Sequence, residues 1–291
     1  MTRADLNKIM KRSIEIMISG AGSDANITKF KNKHEKKIHF IPIKYRVFGG
    51  IIQSMNIQFG NFIEEAVHQI LSENKNNTIL DSYSGKKFNK FSITNKSENL
   101  IDRYITDCEI SAYDETEQKA HYENLLKNII ENEKDKTLPR ITFKHDVDVL
   151  FTDNTSGITY YVEIKYNDDH DTGKFVDINR KLLKTYAYLV DALGIYNSKK
   201  FRPMLFYFTN KRMKGNIYIP EKEIYRGTRF FNSFTTVTYN QLEDYMLTIS
   251  EDKETIQQFN DLYDTVINKH NYTYREDIDI TSVKDKSEIY E

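Results

Sequence analysis

The sequence is poor in the residues that cross-link or interrupt small secreted folds. Its 291 residues include one cysteine, four prolines and no tryptophan. Because Cys108 has no second cysteine to pair with, a fold held by internal disulfides is excluded. No apolar run approaches the roughly 18 residues of a membrane span, and the N-terminus lacks the compact apolar block of a signal peptide. These absences predict a cytoplasmic protein, and the lack of a Pro/Gly-rich linker favours one elaborated domain over residues 1–291.

Charge is balanced in total but unevenly distributed along the chain. Lys and Arg number 42 against 43 Asp and Glu, so a globally basic DNA-coating protein is excluded. Residues 1–60 nevertheless contain 11 basic and 4 acidic residues, whereas residues 241–291 contain 5 basic and 13 acidic residues. The basic N-terminal arm, residues 1–58, is interpreted either as a phosphate-binding surface or as a lysine-rich solvated surface, and charge alone favours the second. The acidic end, about residues 272–291, is typical of a flexible tail.

Hydrophobic periodicity indicates an α/β protein. Hydrophobic residues make up 39% of the chain, enough for a sizeable core. Helical spacing of apolar residues predicts helices over 5–19, 59–73, 98–134, 176–193, 239–249 and 252–268, with 98–134 as an insertion. Apolar or alternating runs predict strands over 77–83, 141–152, 158–166, 203–208, 216–219 and 234–238. Gly49 and Gly50 are expected to bound a short apolar stretch before the second helix.

Two neighbouring predicted strands carry four charged side chains. Asp146 and Asp148 lie in the first strand, and Glu163 and Lys165 lie in the second. A turn at 154–157 gives an antiparallel register in which the numbers of paired residues sum to 311. Asp148 then lies opposite Glu163, and Asp146 lies opposite Lys165. A turn shorter by one residue pair instead places Asp146 opposite Glu163.

Opposed carboxylates on a sheet require a cation. Directly opposed side chains have Cβ atoms about 5 Å apart, so Asp148 and Glu163 repel one another unless a cation lies between them. That cation is either a divalent metal such as Mg²⁺, which prefers carboxylate oxygens, or the Lys165 ammonium. The competing interpretation is an ordinary hairpin with exposed charges. The strongly apolar neighbours of these residues favour a semi-buried site, because buried charges need partners or a metal.

The order of these residues resembles the core of the PD-(D/E)XK nuclease superfamily. The similarity covers about residues 59–210 and consists of a helix with Gly60 and Glu64, a strand with Asp148, a hairpin, a strand with Glu163-Ile164-Lys165, a helix and an apolar strand. The resemblance implies a restriction-endonuclease-like core, in which helices flank a mixed central sheet, with helical N- and C-terminal embellishments. One departure is His145-Asp146, which stands where Pro-Asp is expected and leaves open whether Asp146 or Asp148 is the primary metal ligand.

The resemblance also implies a chemistry. It implies hydrolysis of phosphodiester bonds that depends on Mg²⁺, with Mn²⁺ able to replace it. Asp148 and Glu163 are then the expected metal ligands, and Lys165 assists the attacking water. Glu64, or its neighbour Glu65, is a secondary acidic residue.

Within the superfamily, the chain is most similar to type II restriction endonucleases, because of its size and because it has no helicase or ATPase motif. That similarity implies a homodimer that cuts double-stranded DNA at a short palindromic or interrupted-palindromic sequence. It also implies a restriction–modification system, in which a DNA methyltransferase is a functional partner. The alternatives are a structure-specific or repair nuclease of the same superfamily and a non-catalytic DNA-binding protein.

Ten polar or basic residues that follow the acidic strands are candidate DNA contacts by residue type and position. Five of them lie in or just before the predicted helix 176–193: Lys174, Asn179, Arg180, Lys181 and Lys184. Five follow the apolar strand 203–208: Lys211, Arg212, Lys214, Arg226 and Arg229. Such groups reach phosphates, and Arg also pairs with guanine in the major groove. For each of them, a solvated surface position is the alternative.

Overall fold

The computed structural model describes residues 3–35, 37–269 and 272. Its helices are α1 (Arg3–Ala21), α2 (Asp24–Glu35), α3 (Ile43–Ser72), α4 (Asn95–Ile110), α5 (Glu115–Lys134), α6 (Thr172–Leu193), α7 (Gly227–Phe234), α8 (Tyr239–Ser250) and α9 (Lys253–Asp264). Its strands are β1 (Asn77–Ile79), β2 (Gly85–Thr94), β3 (Arg140–Val147), β4 (Val149–Asp153), β5 (Ile158–Lys165), β6 (Phe201–Tyr207) and β7 (Ile224–Arg226). A 3₁₀ turn, Glu221–Glu223, precedes β7, and a π-helical turn, Thr265–Lys269, follows α9.

The central sheet has five strands in the order β1-β4-β5-β6-β7. Strands β1, β4 and β5 are antiparallel neighbours, whereas β5, β6 and β7 run parallel. A second sheet pairs β2 with β3. Helix α6 connects β5 to β6, which is the kind of crossover that a parallel pair requires. The predicted α/β class, with a mixed central sheet flanked by helices, is confirmed.

Helix α6 packs on the sheet because its sequence is amphipathic and both of its ends are capped. Asp171 accepts the backbone N–H of Lys174 at the N-terminus, and Gly194 ends the helix in the left-handed conformation, with φ 65°. Leu182 and Tyr186 are one helical turn apart and both belong to the main hydrophobic core. The helix predicted here is confirmed and begins four residues earlier.

Three strand predictions are wrong. The strand predicted over 141–152 is two strands, β3 and β4, because the chain leaves one sheet for the other at Asp148. Residues 216–219 form no strand. Three of them are buried, including the apolar Tyr218 and Ile219, so the apolar character of this segment reflects packing and not strand pairing. Residues 234–238 end α7 and lead into α8. Strand β2 was not predicted, because the first half of its sequence is polar.

The region 98–134 is part of the core and not an insertion. It forms two helices, α4 and α5, which are separated by a four-residue connection. Ile101 and Tyr104 of α4 and Leu126 of α5 lie in the same buried cluster as the apolar face of α6. Each helix buries only a narrow apolar stripe and exposes its other faces, which are charged. Because charged residues dominate the sequence of both helices, the region was predicted to be an insertion.

Helix α3 is longer than predicted because Gly49 and Gly50 lie inside it. A Cβ atom at Gly50 would lie 2.6 Å from the ring of Phe30. The glycine therefore allows α2 and α3 to approach one another closely. The helix predicted over 59–73 is the second half of α3.

The chain divides into two compact units. One comprises, among the described residues, 3–13 and 57–249 and contains both sheets. The other comprises, among the described residues, 14–35, 37–56, 250–269 and 272. In the described part of this second unit, α2, α3 and α9 contribute to a separate hydrophobic core that includes Ile27, Val47, Ile51, Leu262 and Val266.

The predicted single domain, with its core at about 59–210, stays a prediction. The basic arm 1–58 forms α1, α2 and the first half of α3 in its described part. The predicted tail 272–291 lies outside the described residues, apart from Tyr272. Across the described ranges, no helix combines the length and the apolar composition needed to cross a bilayer.

Candidate active site

Asp148 lies where the chain passes from the smaller sheet to the central sheet. Strand β3 ends at Val147 and β4 begins at Val149, so Asp148 belongs to neither ladder. Strand β4 pairs with β5 in the predicted register, with Val149 opposite Val162. The next position of that register brings Asp148 beside Glu163. The register that sums to 311 is confirmed, and the shorter turn is excluded.

Asp146 does not lie opposite Lys165, so this part of the register prediction is wrong. Strand β3 pairs with β2, with Val147 opposite Gly85, and Asp146 therefore belongs to the smaller sheet. The register of β4 and β5 cannot extend to Asp146, because the chain changes sheets at Asp148. Asp146 nevertheless lines the same cavity as Asp148 and Lys165.

Glu163 is buried, with 3% of its surface exposed, and three polar groups surround its carboxylate. Lys165 Nζ donates to Oε1 at 2.7 Å, and Tyr161 Oη donates to Oε2 at 2.7 Å. His145 Nε2 lies 3.4 Å from Oε2. Tyr161, Glu163 and Lys165 alternate along β5, so their side chains leave the same face of the strand. These contacts hold the carboxylate in one orientation.

Lys165 joins the two carboxylates. Its Nζ lies 3.9 Å from Asp148 Oδ2, as well as 2.7 Å from Glu163 Oε1. The same ammonium donates to the carbonyl oxygen of Ile164 at 2.7 Å. Asp148 Oδ2 also accepts the backbone N–H of Ile164 at 2.7 Å. Of the two cations that the sequence suggested, the lysine ammonium therefore lies within reach of both carboxylates.

The surroundings separate the acidities of the two carboxyl groups. Burial, and then the negative charge of Glu163, raise the pKa of Asp148 well above its ordinary value. Burial acts in the same direction on Glu163, but Lys165 and His145 outweigh it and lower the pKa of Glu163. Burial alone would lower the pKa of Lys165, and the two carboxylates raise it instead. Paired titratable groups whose pKa values are driven apart are typical of catalytic sites.

A cavity of about 370 Å³ opens beside these groups. Glu64 of α3 lines this cavity together with Asp148, Glu163 and Lys165. Glu65 is exposed and accepts a hydrogen bond from the Gln69 side chain, one helical turn later. The structure therefore brings Glu64, and not its neighbour, to the acidic pair.

The donor chemistry of the site fits a hard divalent cation. Asp148 and Glu163 offer carboxylate oxygens, and Glu64 and Asp146 supply two further carboxylates to the same cavity. Within the described part of the chain, no three Asp, Glu, His or Cys side chains are already grouped as a metal-binding set. The fit therefore rests on the type of ligand and on the two carboxylates that share Lys165.

Helix α6 divides its candidate DNA contacts between different faces. Lys174 and Lys181 line the cavity. Arg180 and Lys184 instead form ion pairs of 2.7 and 2.6 Å with acidic residues of α4. Asn179 is fully buried, and its amide donates to the backbone one turn earlier. This burial does not support the predicted DNA contact by Asn179, which stays a prediction.

Arg226 also points into the fold. Its side chain is only 13% exposed, lies over the ring of Tyr207 and pairs with Asp168 at 3.1 Å. Asp168 is itself buried and accepts the backbone N–H groups of Met213 and Gly215. The Arg226 guanidinium therefore helps to anchor the loop that follows β6. This placement does not support the predicted DNA contact by Arg226, which stays a prediction.

The other candidates after β6 lie on the surface. Lys211, Arg212 and Lys214 are exposed, and Lys214 Nζ lies 3.0 Å from a carboxylate oxygen of Asp169. Arg229 is exposed, donates to the carbonyl oxygen at the start of β7 and stacks on a tyrosine ring. The positions of these four residues leave them available to a ligand, and their DNA contacts stay predictions.

Sequence reasoning missed Tyr161 and Lys144 and gave His145 no role. Tyr161 contacts Glu163, and Lys144 lines the cavity. Strand parity is the signal that was available, because Tyr161 precedes Glu163 by two residues and Lys144 precedes Asp146 by two. The spacing along a strand does not predict the contact of His145 with Glu163. That contact depends on the change of sheet after β3.

Comparison with known proteins gives two matches. The family model described as "Type II restriction endonuclease, HinfI" matches residues 2–250. The chain is 43% identical over 260 residues to the type II restriction enzyme HinfI of Haemophilus influenzae, and the alignment covers 89% of this chain and 96% of that relative. No solved structure matches the chain.

Proposed function

The chain belongs to the HinfI family of type II restriction endonucleases, and we propose that Asp148, Glu163 and Lys165 form its catalytic centre. The protein is a site-specific endonuclease that hydrolyses phosphodiester bonds of DNA. Mg²⁺ is the proposed cofactor, with Mn²⁺ able to replace it. The observation that carries the assignment is the Lys165 ammonium within 4 Å of both carboxylates, beside an open cavity.

Each of these residues has a distinct task in the proposed reaction. Asp148 and Glu163 would hold the metal, which when bound supplies Lewis-acid stabilisation of the charge that develops on the phosphate. Lys165 donates hydrogen bonds and a positive charge, with which it orients the attacking water or a phosphate oxygen. Glu64 adds negative charge from α3 on the same cavity. Asp146 is proposed as a further acidic contributor rather than the primary ligand, because it lies in the smaller sheet.

The cationic part of the cavity is proposed to meet the DNA backbone. Lys174 and Lys181 are seven residues apart on α6, so both lie on the same face of the helix, two turns apart. Lys144 reaches the cavity from β3. Lysines flanking a hydrolytic centre bind the phosphates on either side of the reacting one, which positions the strand without reading its sequence.

Plasmid cleavage in the presence of Mg²⁺ tests the catalytic assignment. We expect discrete fragments from the wild-type protein and a loss of about 100-fold or more in cleavage rate for Glu163→Gln and for Lys165→Met, because each removes a charge at the reacting phosphate. Glu64→Gln should slow cleavage, whereas Glu65→Gln is the matched control and should cut at the wild-type rate. A folded Glu163→Gln variant that cleaves normally would refute the assignment.

We further propose that the enzyme is a homodimer that acts on double-stranded DNA in the cytoplasm, with a DNA methyltransferase as its functional partner. A twofold-symmetric protein is the simplest reader of a palindromic or interrupted-palindromic site. Sedimentation of the protein with and without a short duplex measures the stoichiometry. Sequencing the fragment ends identifies the recognition sequence, and random ends would favour a structure-specific nuclease instead.

A further inference from the structure

The connection between α2 and α3 displays two fully exposed apolar side chains. Ile38 and Phe40 are 105% and 94% exposed, and among the large apolar side chains that the structure describes, no other is as accessible. Ile41 and Tyr45 beside them are 37% and 48% exposed. Exposed apolar groups that cluster in this way mark an interaction site more often than scattered single residues do.

In its described residues, 37–42, this connection has a defined conformation. Arg46 Nη1 donates to the carbonyl oxygens of His34 at 2.8 Å and Lys37 at 3.3 Å, which ties the end of α2 to the start of α3. The backbone N–H of Ile41 donates to Nδ1 of His39 at 3.0 Å. Val47, one residue after Arg46, is fully buried in the core of its unit. The apolar tip is therefore displayed by a supported turn.

The charge around the tip is almost all positive. Between residues 29 and 46, the sequence has seven Lys and Arg residues and one acidic residue, Glu35. Among the described side chains, no carboxylate forms an ion pair with Lys33, Lys37 or Lys44. Burial, and then Lys37, Arg46 and Lys33, lower the pKa of His34, as expected where positive charge is concentrated.

We infer that the α2–α3 connection is a second DNA-contacting element, in which Lys37 and Lys44 bind phosphates and Phe40 and Ile38 enter a groove between them. A ligand that matches this surface must present anionic groups on either side of a place where apolar side chains can insert. A DNA duplex does so, because phosphates flank each groove and apolar side chains can be inserted between its base steps. The inference rests on the proposed function, since it takes the substrate duplex as the partner.

A second copy of the chain matches this surface poorly. In a twofold-symmetric dimer the same patch meets itself, which would bring the lysines of both copies together around the apolar tip. That repulsion requires acidic partners, and the segment contains only Glu35. An anionic bilayer has similar chemistry, so it is included as an arm of the experiment.

Fluorescence anisotropy of a labelled duplex, titrated with the full-length protein over a salt series in chelator, tests the inference without cleavage. For Lys37→Gln/Lys44→Gln, we expect the slope of log affinity against log salt to become less steep by about 2, since each phosphate contact contributes about 0.9. The matched control, Lys119→Gln/Lys127→Gln, replaces two exposed lysines of α5 and should keep the wild-type slope. Phe40→Ala should bind about 10-fold more weakly, and Ile110→Ala, at an exposed residue of α4, should not.

Several results would overturn the inference. They are an unchanged salt slope in the lysine variant, a Phe40→Ala variant that binds as wild type, and a Phe40→Ala variant that loses only self-association in sedimentation. Binding of wild type to phosphatidylserine vesicles that Phe40→Ala abolishes, with DNA binding intact, would also overturn it. A failure of the catalytic assignment would appear in single-turnover cleavage by Glu163→Gln, which is measured independently of the binding titration in chelator.

Discussion

Replacing Tyr161 by phenylalanine removes one hydroxyl from the candidate active site and almost nothing else. The Tyr161 ring is fully buried, and its Oη donates to Glu163 Oε2 at 2.7 Å. Because Phe has nearly the same shape, the substitution leaves no large cavity. What is lost is a hydrogen bond to a buried carboxylate, and such a bond to a charged group contributes about 1.5–3 kcal/mol.

Two effects follow from that loss. In the protein without metal, the free energy of unfolding should fall by about 1.5–3 kcal/mol, because Glu163 keeps only Lys165 and His145. In the reaction, a carboxylate that is less well oriented should lower the single-turnover cleavage rate by about 10- to 100-fold, since each factor of ten corresponds to about 1.4 kcal/mol. We therefore expect a change mainly in the rate at saturating enzyme and little change in DNA affinity.

The assay pairs urea unfolding with single-turnover cleavage of a labelled duplex. Tyr160→Phe is the matched control, because Tyr160 lies on the same strand with its side chain on the opposite face and does not contact Glu163. For Tyr160→Phe, the free energy of unfolding and the activation free energy of cleavage should both stay within about 0.5 kcal/mol of the wild-type values. If Tyr161→Phe behaves like Tyr160→Phe in both measurements, Tyr161 does not position Glu163 and the reasoning is wrong.

Three further predictions concern residues that support the fold. Arg140→Met should lower the free energy of unfolding, measured with urea, by about 3 kcal/mol, because it leaves the fully buried Glu133 without its cation. A loss below about 1 kcal/mol contradicts this. Gly227→Ala should cost about 1–3 kcal/mol, measured in the same way, because the added Cβ would lie 2.8 Å from the carbonyl oxygen of Phe208, and a wild-type midpoint argues against this contact. Burial opposes ionisation of Asp168, but two backbone N–H groups and an arginine outweigh it and lower its pKa. The ionised Asp168 carboxylate therefore contributes to the free energy of unfolding above about pH 4, and this contribution is lost as the pH falls below that. Asp168→Asn should cost more stability at pH 6 than at pH 3, and an equal cost at both would refute this.

Local patterns were enough to predict the centre of the molecule. The alternating strands around the turn predicted the register of β4 and β5, because side-chain parity and turn length are both local properties. Helix α6 was predicted because its amphipathic stripe and the final Gly194 are visible in the sequence. The acidic pair and Lys165 were found for the same reason, since residues two apart on a strand share a face.

The amino-acid sequence alone determined which residue types meet at the hairpin, because strand alternation and turn chemistry act over a few residues. Only the tertiary structure decided that the chain changes sheets at Asp148, which moves Asp146 to the smaller sheet and turns His145 toward Glu163. It also decided that Asn179 is buried and that Arg226 pairs with a buried carboxylate, while Lys174 and Lys181 line the cavity. Those outcomes depend on contacts between segments far apart in the chain, and the burial of a polar side chain is set by what packs over it.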